Sequence, residues 1–215
     1  DGKIRARGVA MAMQGSSISN CDVGSVTVKL SDEGTYHITV GCTDMGTGCD
    51  TIIAQFAADV LETPIDNISV YGVDTDISPY DSGSYASSTT YLTGMAAVKA
   101  CEQLRERIIA LAAVRMNKDA SALTFDGENV IDESDGAKMS LFDIATASMC
   151  NNEISLEVTY SHSSPVSPPP FMAACAEIEA DPETGAIELL DYTACVDCGT
   201  VVNTNLARVQ TEGGL

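Results

Sequence analysis

The sequence has 215 residues, 45% of them hydrophobic and 20% charged, a composition that is ordinary for one or two globular domains and excludes a largely disordered chain. Its formal net charge of −20 would repel the nucleic-acid backbone over most of the surface, so general nucleic-acid binding is not expected. The longest apolar runs, such as residues 108–114, fall far short of the roughly 20 residues that cross a bilayer, so no membrane-spanning segment is expected either.

The first part of the sequence predicts strands followed by a helix. Residues 4–14 are largely apolar and compatible with a strand, and residues 26–30 and 36–41 flank a Ser-Asp-Glu-Gly turn as in a β-hairpin. Residues 50–61 then place apolar side chains at helical spacing. The intervening residues 41–48 therefore form a predicted glycine-rich turn from a strand into a helix.

The middle of the sequence predicts one long helix. Residues 68–71 suggest a short strand, and residues 74–85 form a polar loop rich in Asp, Ser, Gly and Pro. Residues 88–116 keep an apolar face at helical spacing. Residues 122–135 predict a short hairpin or loop, and a brief helix is predicted to begin at Ser140, with Ser140 and Asp143 placed as in a capping box.

The last part of the sequence returns to strands. Residues 153–160 alternate as a strand, and residues 162–170 carry four prolines and predict an extended connector. Residues 174–180 and 186–194 flank Asp-Pro-Glu-Thr-Gly as in a hairpin, and residues 197–215 read as a turn that enters a helix.

The predicted fold class is α+β, with mixed, mostly antiparallel strands and one long helix. The elements suggest two lobes, at about residues 1–116 and 151–215, joined by a connector at 117–150.

The N-terminal sequence and the cysteines suggest a cytoplasmic location. The first five residues, DGKIR, are not followed by the apolar stretch of a secretory signal, and the chain lacks an initiator Met, as a piece of a larger protein would. The cysteines are spaced too irregularly for a small disulfide framework and are expected to be reduced. They lie at positions 21, 42, 49, 101, 150, 175, 195 and 198.

Three turns rich in glycine and hydroxyl side chains are candidates for binding. They cover residues 41–48, 81–90 and 210–214, and each is expected to precede or enter a helix. There, free N–H groups and the positive end of the helix dipole can hold a phosphate or a polar heterocycle. Taken singly, each turn is more often a purely structural feature that needs a positive φ.

Taken together, the turns resemble the molybdenum-binding subunit of the xanthine dehydrogenase and aldehyde oxidase family. Residues 41–48 (GCTDMGTG) resemble the GGTEMGQG element of that family, and residues 82–89 (SGSYASST) resemble its second, Ala/Ser-rich cofactor loop. Residues 197–203 and 210–214 resemble the later DxGxxxNP and QxEGG elements. The resemblance runs from about Arg7 to the last residue, and it implies the fold of the molybdopterin-binding domain.

The resemblance also implies a cofactor and the residues that bind it. The cofactor would be molybdopterin with molybdenum, in the cytosine dinucleotide form if the source is bacterial. Two positions depart from the family pattern, since Thr47 stands where Gln is usual and Thr204 where Pro is usual. The residues implied to bind the cofactor are Met45, Gly46, Thr47, Gly48, Ala86, Ser87, Ser88 and Gln210.

The chemistry implied by the resemblance is hydroxylation of a small molecule, either a purine or other N-heterocycle of the xanthine type or an aldehyde, with oxygen taken from water. Electrons would leave through iron–sulfur centres to FAD on partner domains or subunits, and the remaining segments of the molybdenum subunit would be further partners. The family's catalytic glutamate lies in a GxGE element expected beyond Leu215. No catalytic residue is therefore predicted within this chain, and the fragment alone is expected to be inactive.

Two other interpretations compete with this one. A non-catalytic, acidic scaffold could keep the same fold without cofactor. A zinc or redox module could use the CxxC formed by Cys195 and Cys198, although these thiols are expected to be buried and structural. The two histidines, His37 and His162, occur without an HExxH or GxSxG motif. His37 is expected to face the surface or to be hydrogen-bonded. Asp74, Asp76 and Asp81 lack the pattern of an EF-hand and are expected to be solvated loop carboxylates.

Overall fold

A computed structural model describes residues 2–149 and 154–215. Cys150 and residue 153, the first of the strand expected at 153–160, lie outside the described residues. The described strands are β1 (Ile4–Met13), β2 (Gly24–Leu30), β3 (Tyr36–Val40), β4 (Ile68–Tyr71), β5 (Leu123–Phe125), β6 (Asn129–Asp132), β7 (Lys138–Ser140), β8 (Glu157–His162), β9 (Phe171–Ala180) and β10 (Ile187–Asp197). The described α-helices are α1 (Cys49–Leu61), α2 (Thr89–Met116), α3 (Leu141–Met149) and α4 (Thr204–Gly213), and short 3-10 turns lie at Ile65–Asn67 and Ala120–Ala122.

The chain divides into two compact units. One contains Asp1–Ser16 and Ser167–Leu215 and is called the sheet unit here; the other contains Ser17–Val166 and is called the core unit. Residues 117–149, most of the segment expected to connect two lobes, hold β5, β6, β7 and α3 within the core unit.

The central sheet of the core unit has the strand order β4-β3-β2-β8. Its strands β2 and β3 are antiparallel, with Val28 opposite Ile38, whereas β3 and β4 are parallel and are linked through α1. Side chains on β3 alternate between buried and outward-facing positions, as the two-residue period of a strand requires. One face of the sheet therefore lies in the hydrophobic core.

Helix α2 covers that face. It is 28 residues long, and its fully buried side chains Leu104, Ile108 and Leu111 recur at three- and four-residue intervals. Gly94 lies where α2 passes α1, and a Cβ atom there would come within 2.6 Å of the Phe56 ring. The helices can therefore approach this closely only because position 94 has no side chain.

A small antiparallel sheet, β5-β6-β7, and helix α3 complete the core unit. The capping arrangement expected at the start of α3 is confirmed, because the Ser140 hydroxyl accepts the backbone N–H of Asp143 at 3.1 Å and donates to its carboxylate at 2.7 Å. This bond satisfies one of the N–H groups that a helix start leaves unpaired.

The sheet unit is an antiparallel sheet of order β1-β9-β10, followed in the chain by α4. None of its described residues is buried, although its strands carry apolar side chains such as Val9 and Met11. Cross-strand ion pairs join Arg7 to Glu177 and both Lys3 and Arg5 to Glu179. The sheet is thus held mainly by its backbone ladder, and the exposed charge pairs lie across it.

The predicted fold class is confirmed: the described strands pair mostly in antiparallel fashion, and α2 is the one long helix among the described residues. Within the described residues, none of the helices combines the length and apolar character needed to span a lipid bilayer.

Candidate cofactor site

The loop at residues 41–48 is shaped by glycines and by one aspartate. Asp44 Oδ1 accepts the backbone N–H groups of Gly46 at 2.8 Å and Gly48 at 3.1 Å. Both glycines have positive φ, 91° and 77° respectively, a conformation that other residues adopt only with strain. At Gly41 a Cβ atom would lie 2.4 Å from the Pro79 carbonyl oxygen. Glycine is therefore required for backbone shape at all three positions.

The loop at residues 81–90 is anchored by Asp81. Its Oδ1 accepts the N–H of Gly83 at 2.8 Å, and its Oδ2 accepts the Thr93 hydroxyl at 3.0 Å and the Ser25 N–H at 3.4 Å. The expectation of a solvated carboxylate was wrong for Asp81, because these donors take the place of water. The hydrogen bonds fix the loop to β2 and to the N-terminal part of α2.

A pair of hydrogen bonds joins the two loops. The Ser84 hydroxyl accepts the N–H of Thr43 at 3.0 Å and donates to the Thr43 carbonyl at 2.9 Å. The structure thus brings together the two segments that contain most of the predicted cofactor residues. We call this pair of bonds the Thr43–Ser84 clamp. Ser84 was not among the predicted site residues, and only its place within the serine-rich loop hinted at this role.

Two neighbouring residues in the second loop adopt a left-handed backbone. Ala86 has φ 53° and Ser87 has φ 55°, a conformation that costs of order 1–3 kcal/mol for a residue with a side chain. The backbone is held there because the Ala86 carbonyl accepts the N–H of Ser17 at 2.9 Å and the Tyr85 hydroxyl donates to Asp22 at 2.6 Å. Strain of this kind is concentrated at ligand clamps and active sites.

Helices α1 and α2 begin at these loops, and the side chains of their N-cap residues do not cap them. The residues at the N-cap positions are Gly48 and Ser88, and neither forms a side-chain cap bond. At α4, by contrast, Asn203 Oδ1 accepts the Leu206 N–H at 3.0 Å. At α1 the Asp44 carboxylate accepts the N–H groups of Gly48 and Asp50, so this carboxylate already occupies the helix start. The start of α2 can direct its N–H groups and positive dipole towards an anionic ligand.

The predicted cofactor residues of the core unit differ in accessibility. Met45 is 66% exposed, and Gly46, Thr47 and Ser87 are also exposed. Ser88 is only 4% exposed, and its N–H and its hydroxyl both donate to the Tyr85 carbonyl. Ser88 therefore shapes the turn into α2, whereas the exposed residues offer their surfaces to a ligand.

Gln210 lies in the sheet unit, exposed on α4. The third turn, residues 210–214, was expected to precede or enter a helix, and this was wrong, because it forms the C-terminal end of α4, where Gly214 donates to the Thr211 carbonyl. A helix C-terminus leaves carbonyl groups rather than N–H groups unpaired. Thr204, which stands at the usual proline position, is the first residue of α4, a position where proline is also tolerated.

A cluster of thiols and carboxylates lies at the ends of the first loop and was not predicted. Cys42 and Cys49 are buried with their sulfur atoms 4.0 Å apart, and Cys49 Sγ lies 3.6 Å from Asp50 Oδ1. A hydrogen bond with Cys42, burial and the nearby carboxylates raise the pKa of Cys49, and burial and Asp44 raise the pKa of Asp50. Burial acts to raise the pKa of Asp44, yet the N–H groups of Gly48 and Gly46 hold it below its usual value. The signal in the sequence was the pair of cysteines flanking a glycine-rich turn.

Other candidate residues lie elsewhere. His37 is exposed, as expected, and borders a groove of about 410 Å³ that none of the predicted cofactor residues lines. Cys195 and Cys198 are exposed, so the expectation that these thiols are buried was wrong. Cys195 lies in β10 and Cys198 just after it, in the unit where none of the described residues is buried. The residues lining the groove are Thr27, Lys29, His37, Thr39, Ile77, Pro79, Glu157 and Thr159.

Comparison with protein families gives one match over the whole chain. The family model is described as a molybdopterin cofactor-binding domain and matches residues 1–215. A protein named "Probable hypoxanthine oxidase" from Escherichia coli K12 is 36% identical over 208 residues, which are 96% of this chain and 22% of that protein. The xanthine dehydrogenase molybdenum-binding subunit of Escherichia coli O157:H7 is 28% identical over 100% of this chain and 30% of that protein.

The comparison with solved structures agrees with the family match. The reconstituted CO dehydrogenase from Oligotropha carboxidovorans superposes with a TM-score of 0.83 and 26% identity, over 99% of this chain and 28% of that chain. The chain therefore spans between about a fifth and a third of the length of these relatives.

Proposed function

The chain belongs to the family of molybdopterin cofactor-binding domains of molybdenum hydroxylases, and from that premise we propose that the loops at residues 41–48 and 81–90 bind the molybdenum cofactor. The observation that carries the proposal is the Thr43–Ser84 clamp, with hydrogen bonds of 3.0 and 2.9 Å. The clamp holds together two loops that each lead into a helix.

The residues of these loops fit an anionic cofactor that carries a polar ring system. Gly46 has positive φ and open space around its Cα atom, so a ligand can approach its backbone closely. Thr47 and Ser87 are exposed and carry hydroxyl groups, and the start of α2 offers a helix dipole that favours a phosphate. The strongly negative protein as a whole would repel such a ligand, so binding depends on these local donors.

Within this site each residue has a proposed role. Met45, 66% exposed, packs its thioether against the ring system, and the Thr47 hydroxyl replaces the amide contact that glutamine makes in the family. Ala86 and Ser87 present backbone and hydroxyl groups from the strained turn. Gly48 and Ser88 set the helix starts. Gln210, in the sheet unit, is proposed separately as a cofactor-binding residue through its side-chain amide.

When bound, the cofactor supplies the two-electron chemistry that hydroxylates the substrate. The residues of this chain bind and orient it, and none of them is assigned as the catalytic base. The base belongs to another segment of the full subunit, so the 215-residue chain alone is inactive towards substrate.

The proposed substrate is a purine or a related N-heterocycle of the xanthine type, with an aldehyde as the second choice. The support for this choice is the 36% identity to the relative named as a hypoxanthine oxidase. The proposed cofactor form is the cytosine dinucleotide if the source is bacterial. Iron–sulfur and FAD domains or subunits are the proposed partners that accept the electrons.

The test is molybdenum content, measured by mass spectrometry on the full subunit expressed in a host that makes the cofactor. We expect near-stoichiometric molybdenum in the natural protein and a several-fold loss in Ser84→Ala, which removes the clamp. Ser148→Ala is the matched control, because its hydroxyl also donates to a backbone carbonyl, that of Ala145, but in α3. It should retain molybdenum, and both variants should keep the melting temperature of the natural protein to within a few degrees.

Two results would overturn the proposal. Folded natural protein without molybdenum would favour the acidic scaffold. Equal molybdenum in Ser84→Ala and Ser148→Ala would show that the cofactor is bound without the clamp.

A further inference from the structure

Three side chains with metal-binding atoms meet where the loop at residues 41–48 joins the core unit, and a fourth, Cys42, contacts one of them. Cys42 follows β3, and Cys49 and Asp50 are the first two residues of α1. The ligand atoms of Asp44, Cys49 and Asp50 all lie within 4.8 Å of one another. Cys42 Sγ lies 4.0 Å from Cys49 Sγ, and both cysteines are at least 96% buried.

The spacing of these atoms matches a tetrahedral metal site. Zinc–sulfur bonds of about 2.3 Å and zinc–oxygen bonds of about 2.1 Å place two sulfur ligands about 3.8 Å apart, and a sulfur and an oxygen ligand about 3.6 Å apart. The observed distances are 4.0 Å between Cys42 and Cys49 and 3.6 Å between Cys49 and Asp50. Side-chain movements of a few tenths of an ångström would suffice at these two contacts.

The charge balance of the cluster also favours a cation. None of the ion pairs formed by the described residues involves Asp44 or Asp50. Backbone N–H groups of Gly46 and Gly48 stabilise the Asp44 carboxylate, and the Asp50 carboxylate lies beside the Cys49 thiol. A divalent cation would stabilise the carboxylates and the thiolates together, since metal binding releases the thiol protons.

We propose that Asp44, Cys49 and Asp50, with Cys42 as the fourth ligand, bind a thiophilic divalent cation of the zinc class. Thiolates favour zinc over magnesium or calcium, which prefer oxygen ligands only. The bound ion ties the end of β3 to the start of α1 and fixes both ends of the loop between them. It is a structural site, distinct from the molybdenum cofactor, because all four positions are taken by protein ligands.

The experiment uses the full 215-residue chain carrying Cys195→Ser and Cys198→Ser, so that the exposed CxxC cannot bind metal. Cobalt(II) is titrated into the reduced protein, because tetrahedral cobalt with thiolate ligands absorbs strongly in the visible and near ultraviolet. We expect one equivalent to bind, to be displaced by zinc, and to raise the melting temperature.

Substitutions distinguish the loss of a metal ligand from a loss of folding. Asp50→Asn keeps the shape of the residue and should weaken cobalt binding by more than about tenfold, without loss of the near-ultraviolet circular dichroism. Cys49→Ser should reduce the sulfur-to-cobalt band to at most that of the one remaining thiolate, Cys42. Cys101→Ser is the matched control, because it removes another fully buried thiol, from α2, and should bind as the parent does.

The proposal is overturned if the folded parent protein shows no sulfur-to-cobalt band, or if Cys49→Ser keeps the band of the parent. It is also overturned if the purified protein contains a Cys42–Cys49 disulfide that persists at the reduction potential of the cytosol. Because the readout is cobalt and zinc binding, the result is independent of whether the protein holds molybdenum.

Discussion

The core unit and the sheet unit use similar strands and bury them very differently. In the core unit Val28 and Ile38 are completely buried, because α1 and α2 pack on the sheet. In the sheet unit Val9 and Leu189 are 76% and 59% exposed, although they too lie in antiparallel strands. The comparison shows that a β-pattern alone does not create a core: burial comes from the layer that covers the sheet.

The difference matters for the site, because both loops joined by the Thr43–Ser84 clamp belong to the core unit. Asp81 ties the second loop to Thr93 in α2, and α2 carries buried residues such as Leu104. A binding site is most precise when the elements that support it are rigid. The core unit therefore supplies the stable frame, and stability changes in the core unit should reach the site.

The largest difference between the units is expected for a matched pair of leucines. Leu104→Ala in the fully buried position should lower the free energy of unfolding by about 2–5 kcal/mol, because it leaves a cavity. Leu189→Ala in the exposed strand should change it by less than about 0.5 kcal/mol. Denaturant unfolding of both variants measures the two changes in the free energy of unfolding. Similar losses in both would mean that the sheet unit also has a core in solution.

The next largest effect on stability is expected when a buried tyrosine is compared with an exposed one. The Tyr36 hydroxyl is buried without a hydrogen-bond partner among the described residues, and burial raises its pKa. Tyr36→Phe removes this unpaired group and should stabilise the core unit by about 1 kcal/mol. Tyr192→Phe, at an exposed position of β10, is the control and should leave stability unchanged. A destabilised Tyr36→Phe protein would mean that the hydroxyl is bonded in solution.

An aspartate in each unit makes stability depend on pH, and the two contributions can be compared. Hydrogen bonds from Lys118 and then from Ser134 lower the pKa of Asp132 to about 2, whereas backbone N–H groups and Thr184 lower that of Asp181 in the sheet unit. Because the folded-state pKa lies below the unfolded value of about 3.9, the stabilisation is complete above that value and is lost as pH falls towards 2.

The test of this comparison is the unfolding midpoint at about pH 5.5 and about pH 3. Asp132→Asn should remove more of the acid-induced loss of stability than Asp181→Asn does. If the two variants keep the same pH dependence as the natural protein, the Lys118 pair does not contribute to folding.

The smallest effect is expected in the exposed ion pairs of the sheet unit. Glu179→Gln removes the partner of Lys3 and Arg5, yet exposed pairs of this kind contribute little because water and salt screen them. The unfolding midpoint should stay within experimental error at moderate salt. A clear loss of stability would show that these pairs are desolvated in solution.

Much of the fold could be predicted because its signals are local. The apolar periodicity of α1 and α2, the turn between β2 and β3 and the Asp-Pro-Glu-Thr-Gly turn between β9 and β10 all act within a few residues. The pairing of β1 with β9 was not predicted. It joins Ile4 to Ala180, and local sequence patterns carry no information about pairing between residues so far apart in the chain. The division of the chain into the two units depends on that pairing.

The candidate site was predictable only in part. The motif resemblance pointed to residues 41–48 and 82–89, but the clamp rests on the orientation of the Ser84 hydroxyl, which emerges only after both loops are folded. The position of Gln210 at the end of α4 was missed because the Glu-Gly-Gly sequence was taken as the start of a helix, whereas glycines are more typical of a helix end.

The most direct test of the account is hydrogen exchange, measured by mass spectrometry on the full subunit with and without the molybdenum cofactor. The amides of residues 41–48 and 81–90 should become more protected when the cofactor is bound, while those of β5, β6 and β7 should be unchanged. Protection confined to other segments, with both loops exchanging equally in the two states, would contradict the claim that the clamped loops hold the cofactor.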